Sequence, residues 1–392
     1  MNYIQQRRQT LTQSLKKHGV DAFLVTAVPN VTYLTGFTGD SSYYLATNRH
    51  NYIISDTRYE EQIREECTEL EVVIRGHDKT TLEATAEVLN KSGAKNVAVE
   101  GNRITVGELE QLKSLTPRIT YVPINGEIEG MRLIKDPSEV EQIRAAIRIA
   151  ERAFHMFTAT LRETDTEKEM VDALDGYIRR AGGRAPAFQP IVAVGERGAL
   201  PHAPPTNKQL GEGSKLVIDW GVDLIYKCDL TRTIRSPFTA VPMRKNKFER
   251  VGVNFEEVYN IVLSAQNAAL AMIKPGVKAK DVDAAVRKVF DSAKLRRGPK
   301  DVKLSEFFTH GLGHGIGLEL HEAPRIRANS NDILDSGMVI SIEPALYIPG
   351  WGGVRIEDNV LVTHNGCTLL STVARQLPSS VEEQEVEESA EE

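Results

Sequence analysis

Four carboxylates lie inside strand-like apolar segments in the second half of this chain. They are Asp219 in KLVIDWGVD, Asp229 in IYKCDLTRTIR, Glu343 in MVISIEPALYI and Glu357 in GVRIEDNVLVT. Val, Ile, Leu, Tyr and Trp dominate these segments, so they read as strands of a half-buried sheet. A lone carboxylate there is costly to desolvate unless it is paired or bound to a metal. Four of them cannot share one sheet face without a cation between them. A fold built on these segments must either expose the carboxylates or close around positive charge.

His314 stands nearby in kind, in the glycine-rich turn HGLGHGIG, where the backbone can approach closely. One imidazole and four carboxylates suit a hard or borderline divalent pair such as Mn, Co, Fe or Zn. They fit neither a cysteine-type structural zinc site nor an all-oxygen calcium loop. Two metals bridged by a hydroxide are the usual hydrolytic device. Taken singly, each segment has a plainer reading. An Asp in a hairpin is normally exposed, and Asp223 is read that way. HGLGHG lacks the helical H-E-x-x-H zinc pattern. The joint order of the segments carries the argument.

The chain has 392 residues, enough for two domains, with 41% hydrophobic and 26% charged residues. A net charge of −6 gives no electrostatic basis for nucleic-acid binding. Cys67, Cys228 and Cys367 show no C-x-x-C spacing, which fits a reducing compartment. No apolar run approaches a membrane span and MNYIQQRRQTLTQSLKKHG lacks a signal-peptide core, so a cytoplasmic location is expected.

In the first part, a helix over 3–18 is followed by short strands at 22–27, 43–47, 51–55, 70–75 and 96–100. Helices are expected at 58–66 and 80–92 between them. Such alternation predicts an α/β domain with a largely parallel sheet, ending near residue 125. A boundary follows at DPSEVEQIRAAIRIAERAFHMF. Asp136 is the expected N-cap, Pro137 the first helical residue and Glu139 the partner in a capping box. Ile143, Ile147, Ala150, Phe154 and Phe157 make its apolar face. Further helices are expected at 166–180, 255–273 and 280–294. With the strands between and after them, the order is helix pair, hairpin, helix pair, hairpin: a duplicated α+β unit. The run VEEQEVEESAEE (381–392) reads as a disordered, solvating tail.

The segments PHAP, DWG…CDLTRT, GHGIG, IEP and GVRIED resemble, in that order, the pita-bread metallopeptidases: methionine aminopeptidase, Xaa-Pro aminopeptidase and Xaa-Pro dipeptidase (prolidase). The resemblance covers about residues 1–375. NVTYLTGFTG and SDTRYEEQ are similar to the N-terminal domain of the prolidase, Xaa-Pro aminopeptidase and creatinase branch, which typical methionine aminopeptidases lack. It implies an α/β N-terminal domain (1–130), an α+β pita-bread catalytic domain (131–375) and a tail (376–392).

The resemblance assigns Asp219, Asp229, His314, Glu343 and Glu357 as ligands of two divalent ions, Mn being favoured over Co, Zn or Fe. A metal-bridging hydroxide is the implied nucleophile, with Glu343 also accepting the proton of the attacking water. His202 and His321 are implied to flank the scissile peptide and its oxyanion, and His310 to line the pocket. Arg355 is implied to orient the carboxylates. The implied activity is hydrolysis of Xaa-Pro bonds at peptide N-termini, with peptide substrates as partners and a homodimer as the assembly. The alternatives are a broader or methionine-type aminopeptidase, and a silent peptide-binding module on the same fold.

One feature departs from the family pattern. Asp229 follows Asp219 by ten positions, one fewer than usual, and the missing residue falls between Gly221 and Tyr226. A tighter turn or a lost bulge is expected to keep the two aspartates on one face. The segment 236–257 also reads as longer than the family's usual connection, with a solvated basic cluster of Arg244, Lys245, Lys247 and Arg250.

Overall fold

The computed structural model describes residues 2–238, 253–296 and 302–376. The basic cluster and the acidic tail lie outside the described residues. The chain divides into two units, Met1–Arg132 and Leu133–Glu392.

The first unit holds α1 (Tyr3–His18), β1 (Ala22–Val25), α2 (Val28–Thr35), β2 (Tyr43–Thr47), β3 (Asn51–Asp56) and α3 (Glu60–Glu66). It continues with β4 (Glu71–Arg75), α4 (Thr81–Ser92), β5 (Asn96–Glu100), α5 (Val106–Leu115), β6 (Thr120–Ile124) and α6 (Glu127–Arg132). Its six strands run in the order β4-β3-β2-β1-β5-β6. The expectation of a largely parallel sheet needs correction. The pairs β3/β4, β1/β5 and β5/β6 are parallel, whereas β1/β2 and β2/β3 are antiparallel. Only Asn48, Arg49 and His50 separate β2 from β3. A parallel crossover needs about a dozen residues, so these strands must form a hairpin. Leu82 and Leu89 of α4 and Leu112 of α5 pack with Leu24, Leu45, Ile54 and Val99 of the sheet.

The sequence reading omitted α2, α5, β6 and α6. The α5 segment carries a start signal, since Thr105 and Glu108 form a capping box. It also carries an apolar stripe, Val106, Leu109, Leu112 and Leu115 at three-residue spacing, although only Leu112 is fully buried.

The second unit opens with α7 (Pro137–Thr158) and α8 (Glu167–Arg180), then β7 (Ala185–Pro186), β8 (Ile191–Val194), β9 (Lys215–Trp220), β10 (Val222–Asp223) and β11 (Leu230–Arg235). A second helix pair follows, α9 (Phe255–Met272) and α10 (Ala279–Ser292). Then come β12 (Gly313–Gly315), β13 (Glu322–Ile326), β14 (Val339–Ile342), β15 (Ala345–Ile348), β16 (Gly352–Arg355), β17 (Asp358–Thr363) and β18 (Gly366–Leu369). The order of helix pairs and strands repeats as the sequence suggests. One sheet runs β11-β9-β8 and another β13-β12-β14-β17-β18; β15 and β16 form a separate hairpin. A bridge between Thr231 and Glu357 joins the β11 edge to the later strands, with the Glu357 N–H donating to the Thr231 carbonyl at 3.1 Å.

The start of α7 follows from its first four residues. The Asp136 carboxylate accepts from the backbone N–H groups of Ser138 (2.8 Å) and Glu139 (3.1 Å), and Glu139 reaches back to the Asp136 N–H at 3.0 Å. The expected apolar face is buried. Phe154 stacks on Trp220 with centroids 4.5 Å apart, and the indole N–H donates to the Ala150 carbonyl at 3.0 Å. The helix thus supports the strand that carries Asp219. Replacing Asp136 by Ala orphans two helix N–H groups and should cost about 1 kcal/mol. For a unit of this size that is a melting-point loss of roughly 2–4 °C, readable by calorimetry. No described helix is long and apolar enough to cross a membrane.

Candidate metal centre

The stretch 219–233 is more than a plain hairpin. β9 and β11 pair with Thr231 opposite Asp219. Asp229 therefore sits diagonal to Asp219, two residues before its direct partner and on the same face. Val222 and Asp223 leave the hairpin to pair with Pro186 and Ala185. The chain then turns tightly at 224–226, where the Leu224 N–H donates to the Tyr226 carbonyl at 3.3 Å. Gly221 is needed here, because a Cβ would lie 2.2 Å from the Cys228 carbonyl oxygen. The ten-residue spacing thus brings both aspartates to one place. Asp223, read as exposed, is half-buried and paired with Lys227 at 3.0 Å, away from the carboxylate cluster.

Sequence pattern places Glu343 and Glu357 inside strands. Both lie at strand breaks instead: Glu343 between β14 and β15, Glu357 between β16 and β17. Pro344 has no N–H to give the ladder, which interrupts it beside Glu343. The breaks turn both carboxylates toward Asp219 and Asp229. His314 lies in β12, with its N–H donating to Ser341 Oγ at 3.2 Å. A Cβ at the preceding Gly313 would lie 2.0 Å from the Ser341 carbonyl oxygen. Gly313→Ala is therefore expected to displace His314 and lower the melting point markedly, with weaker Mn binding by calorimetry; a variant melting and binding like wild type removes this role.

The five residues meet. Ligand atoms of Asp219, Asp229 and Glu357 lie within 4.8 Å of one another, as do those of His314, Glu343 and Glu357. His314 Nε2 is 3.7 Å from Asp229 Oδ2 and 3.6 Å from Glu343 Oε1. His314 Nδ1 faces the Gly315 carbonyl at 3.0 Å, so that nitrogen carries the proton. The Nε2 lone pair then points into a set of carboxylates, an arrangement that is repulsive unless a cation stands between them. Asp219 Oδ1, Asp229 Oδ1 and Glu357 Oε1 are buried without a hydrogen-bond partner among the described residues. Buried carboxylate oxygens are seldom left so. Three orphaned oxygens and one imidazole lone pair converge on the same space, and this donor set fits a pair of divalent ions.

The electrostatics agree. Burial, followed by the neighbouring carboxylates, pushes Asp229 and Glu357 well above the usual carboxylate range. Burial, with Asp219 adding to it, takes Glu343 up to about 8. Burial lowers His314 to about 3 and His310 to about 4. The histidines are neutral and the carboxylates hold more negative charge than the protein alone can support.

Arg355 supplies the one buried cation among these groups. It contacts Asp219, and it donates to Thr231 Oγ1 (3.0 Å), Tyr347 Oη (2.6 Å) and the Pro201 carbonyl (3.2 Å). The Thr231 hydroxyl in turn donates a hydrogen bond to Glu357 Oε2 at 2.8 Å. His310 donates from Nδ1 to the Gly311 carbonyl (2.8 Å) and accepts at Nε2 from the Tyr347 hydroxyl (2.9 Å). The rings of His314 and His321 are 4.3 Å apart, and His321 also lies within ligand reach of Asp229 and His314.

The five proposed ligands and Arg355 face a cavity of about 460 Å³, with His202, His310 and His321 in its wall and Phe188, Ile191 and Leu320 as apolar lining. Sequence reasoning missed Thr231, Tyr347, Arg325 and Arg327. Thr231 had a signal, the two-residue strand period from Asp229. Tyr347 had none, since its role depends on how β15 meets the 310–311 segment.

Residues 141–364 match the model of metallopeptidase family M24. The chain belongs to that family. Residues 7–134 match the creatinase/prolidase N-terminal domain. An Xaa-Pro dipeptidase of Pyrococcus horikoshii is 32% identical over 96% of this chain and 100% of its own length. Among solved structures, an Xaa-Pro dipeptidase from Bacillus anthracis aligns with a TM-score of 0.84 at 30% identity, over 95% of this chain and 99% of that one. An X-Pro aminopeptidase from Thermotoga maritima aligns at 0.81 and 33% identity, over 93% and 99%. The architecture is an α/β creatinase-type domain followed by an α+β pita-bread domain. This M24 member is a metallo-exopeptidase, of a family whose enzymes use divalent metal ions.

Proposed function

We propose that this chain hydrolyses Xaa-Pro bonds at peptide N-termini, using two divalent ions, Mn by preference, held by Asp219, Asp229, His314, Glu343 and Glu357. The observation that carries the reading is the convergence of three orphaned carboxylate oxygens on the His314 lone pair inside a peptide-sized cavity. The names of the similar proteins support the proline preference. When bound, such a metal pair lowers the pKa of water to near neutrality and polarises the scissile carbonyl.

The chain's own residues supply the rest. Glu343, at the cavity wall, takes a proton from the attacking water and returns it to the leaving nitrogen. His202 and His321 face the cavity and make no ring hydrogen bond among the described residues, so their ring nitrogens are free for the oxyanion or the scissile peptide. Both nitrogens of His310 are engaged, which makes it a fixed wall rather than a proton carrier. Arg355 orients Asp219 directly and Glu357 through Thr231.

The test is turnover of the Mn- or Co-loaded protein on Ala-Pro, Ala-Pro-Gly-Gly and Met-Ala-Ser. Cleavage of one or both proline peptides, at least tenfold faster than Met-Ala-Ser, is expected. Turnover of Met-Ala-Ser alone overturns the proline reading, and no turnover at all, with less than one equivalent of bound metal, favours a silent binding module.

A further inference from the structure

All three cavity histidines outside the proposed ligand set ride on irregular backbone, and two of them sit on segments held from a helix. His202 lies in the segment joining β8 to β9, and His310 follows a short 3-10 turn at Leu304–Phe307. Irregular segments are the loose parts of a fold unless something ties them down. Each of these is tied by an ion pair between a fully buried helix carboxylate and a half-buried arginine.

Glu167, the first residue of α8, has no solvent exposure. Its carboxylate accepts from the backbone N–H groups of Val194 and Thr206, both at 2.9 Å, from Thr206 Oγ1 at 2.6 Å and from Arg197 Nε at 2.8 Å. Val194 and Thr206 bracket the His202 loop, and Arg197 lies within it, donating on to the Pro204 carbonyl. The middle of the loop is pinned at Pro201 by Arg355, the same guanidinium that touches Asp219. Glu167 is not there to cap its own helix. Thr166 and Glu169 already form the capping box of α8.

Asp283 repeats the device inside α10, where no cap is needed. It is fully buried and accepts from Arg287 Nε at 2.7 Å. Arg287 donates to the carbonyls of Phe308 (3.2 Å) and of His310 itself (2.9 Å), and its guanidinium lies 4.7 Å from the Phe308 ring centroid. Neither pair touches the cavity, yet each fixes the backbone beneath a cavity imidazole.

We infer that the Glu167–Arg197 and Asp283–Arg287 pairs are positioning residues, which set where the rings of His202 and His310 stand and so act on the rate of the chemical step more than on peptide binding. The kinetic half rests on the peptidase reading above; the structural half does not. Misplacing a group by about 1 Å can cost about 10²-fold in rate.

The test uses the full-length, Mn-loaded protein with Glu167→Gln, Thr206→Val, Arg197→Lys and Asp283→Asn. Glu167→Gln should speed hydrogen exchange in peptides covering 194–206 but not 307–311, and Asp283→Asn should do the reverse. On the best wild-type peptide, kcat should fall about 10- to 100-fold with KM within about threefold and bound metal unchanged. Arg197→Lys, which keeps the charge, should retain more activity than Glu167→Gln. Thr206→Val, which deletes one hydrogen bond to Glu167, should show the same local exchange to a smaller degree even if Glu167→Gln fails to fold. Unaltered exchange in both segments, unaltered kcat beside faster local exchange, or a kcat loss that tracks metal loss would overturn the inference. If wild type cleaves no Xaa-Pro peptide, the proline reading fails, while the exchange measurements still decide whether the pairs hold the two segments.

Discussion

Glu343→Gln is expected to lower kcat by about 10³-fold or more, with the fold retained and KM little changed. The amide keeps the shape and volume of the carboxylate at the break between β14 and β15. The backbone there is held independently, since the Glu343 N–H donates to the Leu312 carbonyl at 2.8 Å. What the amide cannot do is accept and return a proton. It also removes one negative charge that faces His314 Nε2 at 3.6 Å, so some loss of metal affinity is expected beside the catalytic loss. Measuring kcat at saturating Mn, with metal content and melting point in parallel, separates the two. A variant within tenfold of wild-type kcat at full metal occupancy would remove Glu343 from proton transfer.

The convergence at the centre was legible because burial makes a demand that sequence displays. An Asp after LVI and a Glu after VISI cannot be hidden without compensation, and that constraint holds whichever way the strands are bent. How they are bent was not legible. Glu343 and Glu357 look like strand interiors because their neighbours are apolar on both sides. Only the pairing of β14 with β17 and of β15 with β16 shows that the chain changes partner at both residues. The same limit applies to the first unit, where local alternation suggested a parallel sheet and a three-residue connection overrode it. Thr231, Tyr347 and Arg355 form one hydrogen-bonded chain from Glu357 to His310. Three of its four links are contacts between distant segments, and no periodicity records those. The helix boundary at Asp136 lies at the other extreme, since its capping box is wholly local.

Metal-free protein is expected to lose stability as pH rises from 6.5 to 8.5, and metal-loaded protein is not. The folded-state value of Glu343 is raised to about 8, against about 4.3 for an unfolded Glu. A raised group binds more protons folded than unfolded, so its contribution is fully present below the unfolded value and is lost as pH climbs through the folded one. Asp229 and Glu357 are raised too and act with the same sign. His310 and His314 act oppositely. Their folded values, about 4 and about 3, are depressed, so their contribution fades mainly as pH falls below about 6.5. Between pH 6.5 and 8.5 the unfolded histidines finish deprotonating and add back only about 0.4 kcal/mol each, so the raised carboxylates dominate the slope. Glu343 by itself gives about 2 kcal/mol across that window, which corresponds to roughly 4–8 °C in melting point for a unit of this size. Divalent ions at the orphaned oxygens neutralise the charge that drives the loss, so the gain from adding Mn should widen as pH rises. Glu343→Gln in the metal-free state should flatten much of the slope, because its amide does not titrate. Thermal melts of chelator-dialysed protein, with and without Mn at pH 6.5, 7.5 and 8.5, measure all three. A metal-free melting point that stays level or rises over this range would mean that the carboxylates are compensated by the protein itself, and the argument for bound cations would lose its electrostatic support.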